Sequence, residues 1–150
     1  MGTGYAVPMT ASPAPATQAP RVPLLAVLLL ALGTAGVAAA WASVAMLSAS
    51  QAAWMAPLAG VDAAWLLRLG GAPKGRPRML LAVAATAVAI VMANWSIVAA
   101  QLAGVMGLPF LDSAQRLGPE LAWILLGLAN GPAEIAWFAA GLVLAAIVSR

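Results

Sequence analysis

Two long stretches without a charged side chain, Val22–Val61 and Met79–Leu111, limit what this chain can become. Each far exceeds the ~20 apolar residues that a helix needs to cross a bilayer. Of the 150 residues, 64% are hydrophobic and only 7% are charged, where a soluble domain carries roughly 25%. So few charges cannot cover a water-facing surface. The chain reads as an all-α, polytopic membrane protein, and its length allows one compact bundle without an added soluble domain.

Composition also narrows the chemistry. The sequence has neither Cys nor His, so disulfides, thiolate chemistry and the usual ligands for transition metals and haem are missing. No metal site and no cofactor are expected. The formal net charge of +3 reflects where the loops lie rather than a nucleic-acid partner. The expected partners are the lipid bilayer and either further copies of the chain or a larger membrane complex.

Residues 1–23 form an Ala- and Pro-rich stretch with prolines at 8, 13, 15, 20 and 23. That density opposes both helix and sheet pairing, so a disordered tail is expected. A cleaved signal peptide is the rival reading, with an A-x-A site at Ala38–Ala40. It is disfavoured because the apolar run continues to Leu47. The transmembrane domain then covers residues 24–150, with spans expected at about 24–47, 52–69, 79–106 and 120–148. The second is the least secure, since it carries Pro57, Asp62 and Arg68. Three spans plus an interfacial helix are therefore the alternative. Gly70–Arg78 is expected to be a loop and Leu108–Pro119 a turn.

Charge placement favours four spans. With both termini in the cytoplasm, Arg21, Arg68, Lys74, Arg76, Arg78 and Arg150 share one side. Only Arg116 lies outside, beside Asp112 and Glu120. The three-span topology moves Arg21 across, so the positive-inside rule prefers four by one arginine. The basic loop formed by Arg68, Lys74, Arg76 and Arg78 marks the cytoplasmic face, most simply that of a bacterial inner membrane.

The four spans have midpoints near residues 35, 61, 93 and 134, and the polar residues closest to them are Thr34, Asp62, Asn94 and Glu134. This spacing predicts a midplane polar cluster, a possible proton or cation site. An intramembrane carboxyl costs a few kcal/mol or more unless it is packed or wetted. Asp62 and Glu134 are therefore expected to be neutral or to share a proton. Pro132 also leaves the carbonyl of Leu128 without its helical donor. Asn94 and Gln101 are seven residues apart and are expected to share a face.

Small residues suggest packing faces. Gly127 and Gly131 form a GxxxG pair, and Gly33 and Gly36 start a small-residue stripe on the first span. Such faces let helices approach closely. Each of these features also has a plain structural use: amides as interhelical glue, GxxxG as packing, tryptophans as interface anchors. The leading expectation is a non-enzymatic accessory or assembly subunit. The alternative is a small oligomeric proton- or cation-coupled transporter. In architecture alone, four helices with an intramembrane glutamate, the chain resembles the small multidrug transporters. Their glutamate sits on the first helix, where this chain has no acid, and no residue motif is shared. An intramembrane enzyme ranks last, because only a carboxyl pair is available for catalysis.

Overall fold

The computed structural model describes residues 22–150. It contains six helices and, among the described residues, no strand: α1 (Leu24–Ser48), α2 (Met55–Leu69), α3 (Arg76–Met106), α4 (Phe110–Arg116), α5 (Pro119–Ala129) and α6 (Pro132–Val148). The expected tail at residues 1–23 lies almost wholly outside the described residues; of it, only Val22 and Pro23 are seen, with Pro23 capping α1.

Two helices, α1 and α3, are long and apolar enough to cross a membrane. The pair α5 and α6 adds a third only if taken as one broken span. Both long helices are rich in Ala, Leu and Val. Thr34, Ser43 and Thr86 each donate to the carbonyl four residues back, which keeps these hydroxyls paired along an apolar helix. α1 ends where Ala49 turns left-handed, with φ 49°. A second positive φ at Ala52, 46°, closes the tight link to α2, which Trp41 pins by donating its Nε1–H to the carbonyl of Gln51 at 3.0 Å.

That link shortens the second span. Residues 52–54 belong to the turn, so α2 has 15 residues rather than the expected stretch from 52 to 69. At the helical rise it is about 22 Å long, less than the hydrocarbon core. α3 begins earlier than its expected start at 79. Arg76, Pro77 and Arg78 make its first turn, where a proline forfeits no hydrogen bond. The expected turn at 108–119 contains the short helix α4.

The largest departure is in the last span. Residues 120–148 do not form one helix. The axes of α5 and α6 meet at 103°, because Asn130 and Gly131 are extended, with ψ 106° and −174°. Pro132 explains the break, since it disfavours helical geometry at the residue before it and cannot donate to the carbonyl of Leu128.

α1, α2, α3 and α6 pack side by side, with α2 touching the other three. Gly70 at the end of α2 lies against Ala26 at the start of α1, so these two run antiparallel. Gly60 faces Gly141 and Ala145, and Arg68 reaches Val148, so α2 and α6 run parallel. The core is mostly alanine. One layer gathers Ala26, Leu30, Ala63, Leu67 and Ala82. The next gathers Ala38, Trp41, Met55, Ala93 and Ile97, with Phe138 beside Trp41 at a ring separation of 6.0 Å. α3 continues past this body, and its far half carries α4 and α5 through Val98, Ala99, Leu117 and Ala122.

Candidate functional site

The four polar residues expected at one depth divide into two groups. Asp62 lies on α2 against α1, its Oδ2 3.3 Å from where a Cβ on Gly33 would stand. Thr34, next to Gly33, spends its hydroxyl on the carbonyl of Leu30 at 2.7 Å. Asn94 sits in the other group, 5% exposed, and its Oδ1 accepts from Asn130 Nδ2 at 3.0 Å. Glu134 belongs to this second group. It lies seven residues before Gly141, which packs at the level of Ala56 and Gly60. That is about 10 Å along the helix axis, so Glu134 is displaced from the α1–α2 pair.

The break explains what Glu134 does. As the third residue of α6, it accepts the backbone N–H of Gly131 at 2.9 Å through Oε2. This contact ties the carboxylate to the start of its own helix, at the positive end of the dipole.

Asn130 was not among the expected site residues, yet it forms the corner. Its Nδ2 donates both to Asn94 Oδ1 at 3.0 Å and to the carbonyl of Leu126 at 2.9 Å. Its Oδ1 is shielded from solvent and accepts no hydrogen bond among the described residues. Because both N–H groups are engaged, turning the amide over would set two acceptors against each other. Gln101, expected to share a face with Asn94, is exposed, as the lengthening of α3 beyond the bundle allows.

An open apolar cleft of about 600 Å³ lies between α3, α5 and the start of α6. Ile90, Trp95, Trp123, Leu126, Ile135 and Phe138 supply much of its wall, with Asn94 and Asn130 as its polar portion. Gly127 also lines it, and no atom lies within 4 Å of a Cβ placed there. Among the described residues, the expected packing face at Gly127 and Gly131 therefore meets no other helix: a Cβ on Gly131 would meet only Glu134 Oε2, at 3.1 Å. On α1, Gly33 is close-packed on Leu66, while Gly36 has open space.

The tight glycine contacts lie elsewhere. A Cβ on Gly60 would stand 2.5 Å from the carbonyl oxygen of Gly141, and one on Gly141 would stand 2.6 Å from that of Ala56. Ala56–Gly60 and Gly141–Ala145 are small residues four apart, the signal that could have revealed them. In a chain this rich in alanine, that spacing recurs too often to single them out.

The basic loop has a structural role at the opposite end. Arg78 is 3% exposed. It donates to Ser149 O at 2.6 Å, Arg150 O at 2.7 Å and Ala72 O at 3.5 Å, while Arg68 donates to Val148 O. Two arginines thus satisfy carbonyls that the end of α6 leaves without helical donors. Lys74 and Arg76 remain exposed. Among the described residues, no group of three or more acidic side chains is arranged to hold a metal ion. No protein-family model, curated protein or solved structure matches the chain.

Proposed function

We propose that the chain is a multi-pass membrane protein that acts as a non-enzymatic accessory or assembly subunit. In this reading α1, α2, α3 and α6 cross the bilayer, and α4 and α5 sit toward the far face. α2 and α6, with 15 and 17 residues, are short for a span and are accommodated by local thinning of the bilayer. Arg68, Lys74, Arg76 and Arg78 cluster where α2 ends and α3 begins, and the end of α6 meets them. The positive-inside rule assigns that end, with both termini, to the cytoplasm, as in a bacterial inner membrane.

One observation carries the subunit reading: Glu134, the acid with the strongest claim to chemistry, is engaged as a helix cap. The hydroxyl of Thr34, the amide of Asn94 and the amide N–H groups of Asn130 are likewise engaged in hydrogen bonds within the fold. Further copies of the chain or a larger complex are the proposed partners.

A proton- or cation-coupled transporter is the second reading. The residue that favours it is Asp62, half-buried against α1 in the middle of α2. Two measurements test these proposals. The chain has no native cysteine, so Ser50→Cys and Lys74→Cys give clean labelling. Reaction from opposite faces is expected, and reaction from one face would end the four-crossing topology. In liposomes with a pH-sensitive dye, the wild type is expected to match empty vesicles. A proton flux that Asp62→Asn abolishes would replace the subunit with the transporter.

A further inference from the structure

Asp62 differs from Glu134 in its company. Glu134 accepts the N–H of Gly131, whereas among the described residues no donor or cation offsets the burial of the Asp62 carboxyl. Asp62 is the middle residue of α2, which runs Met55–Leu69. Arg68 is about 9 Å further along that helix and donates to Val148 O. Asp62 is only half-buried. Leu58, Val61 and Trp65, its neighbours on α2, are exposed, so the carboxyl borders an outward apolar face.

α1 leaves room beside it. Asp62 lies against Gly33. Gly36 and Ala40 follow Gly33 by three and seven residues, on the same side of α1. Both are exposed, and a Cβ on Gly36 would meet nothing within 4 Å. Another helix can therefore come close to α1 next to the carboxyl.

In the four-crossing topology an acid at this depth is costly, and such groups pair with a complementary one. A second copy cannot supply the opposite charge. No Lys or Arg lies in α1, in α2 before Arg68, in α3 after Arg78 or in α6. We propose that the outer face at Gly36, Ala40 and Asp62 docks a transmembrane helix of a different protein, one whose mid-depth lysine or arginine pairs with Asp62. This rests on the subunit reading above and names the chemistry of the partner.

The probe is a leucine-rich single-span peptide with one central lysine, and its control has leucine there. Either orientation of the peptide sets the lysine at the same depth. Full-length Ser50→Cys protein carrying a donor fluorophore is reconstituted in phosphatidylcholine vesicles with acceptor-labelled peptide. Saturable energy transfer is expected for the lysine peptide at a roughly tenfold lower peptide-to-lipid ratio than for the control. Asp62→Asn should remove that preference. Gly36→Phe, at a position with open space, should weaken binding of the lysine peptide without changing thermal stability. Equal transfer to both peptides, or a lysine preference that survives Asp62→Asn or Gly36→Phe, would overturn the proposal. Energy transfer between copies of the protein that Asp62→Asn abolishes would make the occupant a second copy, with two carboxyls sharing a proton, and would overturn it too. Labelling of Ser50→Cys and Lys74→Cys from one face would end the topology and this proposal together. Absence of a lysine preference in correctly inserted protein would end this proposal alone. Should Asp62→Asn fail to fold, the two-peptide comparison and Gly36→Phe still decide.

Discussion

The body formed by α1, α2, α3 and α6 and the elbow formed by α4 and α5 are built from the same residues and packed by opposite rules. In the body, glycine is where helices touch. Gly60, Gly70 and Gly141 each stand so close to a neighbouring backbone that a methyl group could not be added without displacement. In the elbow, among the described residues, a Cβ on Gly127 would have nothing within 4 Å, and α5 packs against α3 alone. A small residue four positions from another is therefore permission for close approach, not evidence of it. What decides is whether a second helix arrives, and here Pro132 turned α5 away from α6 before that could happen.

The sharpest way to break this contrast is to make the same substitution on both sides of it. Gly141→Leu forces a side chain against the carbonyl of Ala56, which as backbone cannot step aside. A loss of about 3 kcal/mol or more is expected, read as a large fall in thermal midpoint in detergent. A loss under about 1 kcal/mol would mean that the α2–α6 contact is looser than described. Next comes Arg78→Ala, which strands the carbonyls of Ala72, Ser149 and Arg150. A cost of about 2–3 kcal/mol is expected from lost charge-assisted bonds, with faster proteolysis near Val148. Arg78→Lys should recover only part of it, because an ammonium cannot reproduce the planar fork.

In the elbow and where it joins the body the effects are smaller. Asn94→Leu removes the acceptor for Asn130, at about 1 kcal/mol for one interhelical bond, measured by thermal unfolding. Glu134→Leu removes a cap and should cost about 0.5–1 kcal/mol. Glu134→Gln retains an acceptor for Gly131 N–H and should lie within error of the wild type. A large penalty for Gln would show that the charge, not the hydrogen bond, matters there. Smallest of all is Gly127→Leu, expected within about 0.5 kcal/mol of the wild type. If it matched Gly141→Leu, the distinction between body and elbow would fail.

The body was largely legible in the sequence. Uncharged length located α1 and α3 to within a few residues, since hydropathy needs no knowledge of neighbours. Pro77 displaced the start of α3 because a proline that breaks a helix in its interior is harmless in its first turn. The elbow was much less legible. Pro132 stood out as freeing the carbonyl of Leu128, but whether such a proline kinks a helix or turns it through 103° depends on what packs on either side. The expected alignment of Thr34, Asp62, Asn94 and Glu134 assumed straight helices of equal depth. One bend and one short helix separated them. Asn130 was missed as the corner residue because its partner, Asn94, is 36 positions away, beyond any local pattern.

The clamp on α6 also orders events in time. Arg68 and Arg78 flank the α2–α3 link, yet their acceptors lie 80 and 71–72 residues further along the chain. α1, α2 and α3 can associate through mostly local contacts while both guanidiniums are still in water. Only Arg78 becomes dry when α6 arrives, while Arg68 stays exposed, and that long-range closure is the slow kind of step. Until then the assembling chain holds two hydrated arginines at its rim, which in the proposed topology would keep that end from slipping into lipid. The residues that finish the fold thus first act as its tether, and the passage of Arg78 from water into the core marks the moment the body is complete.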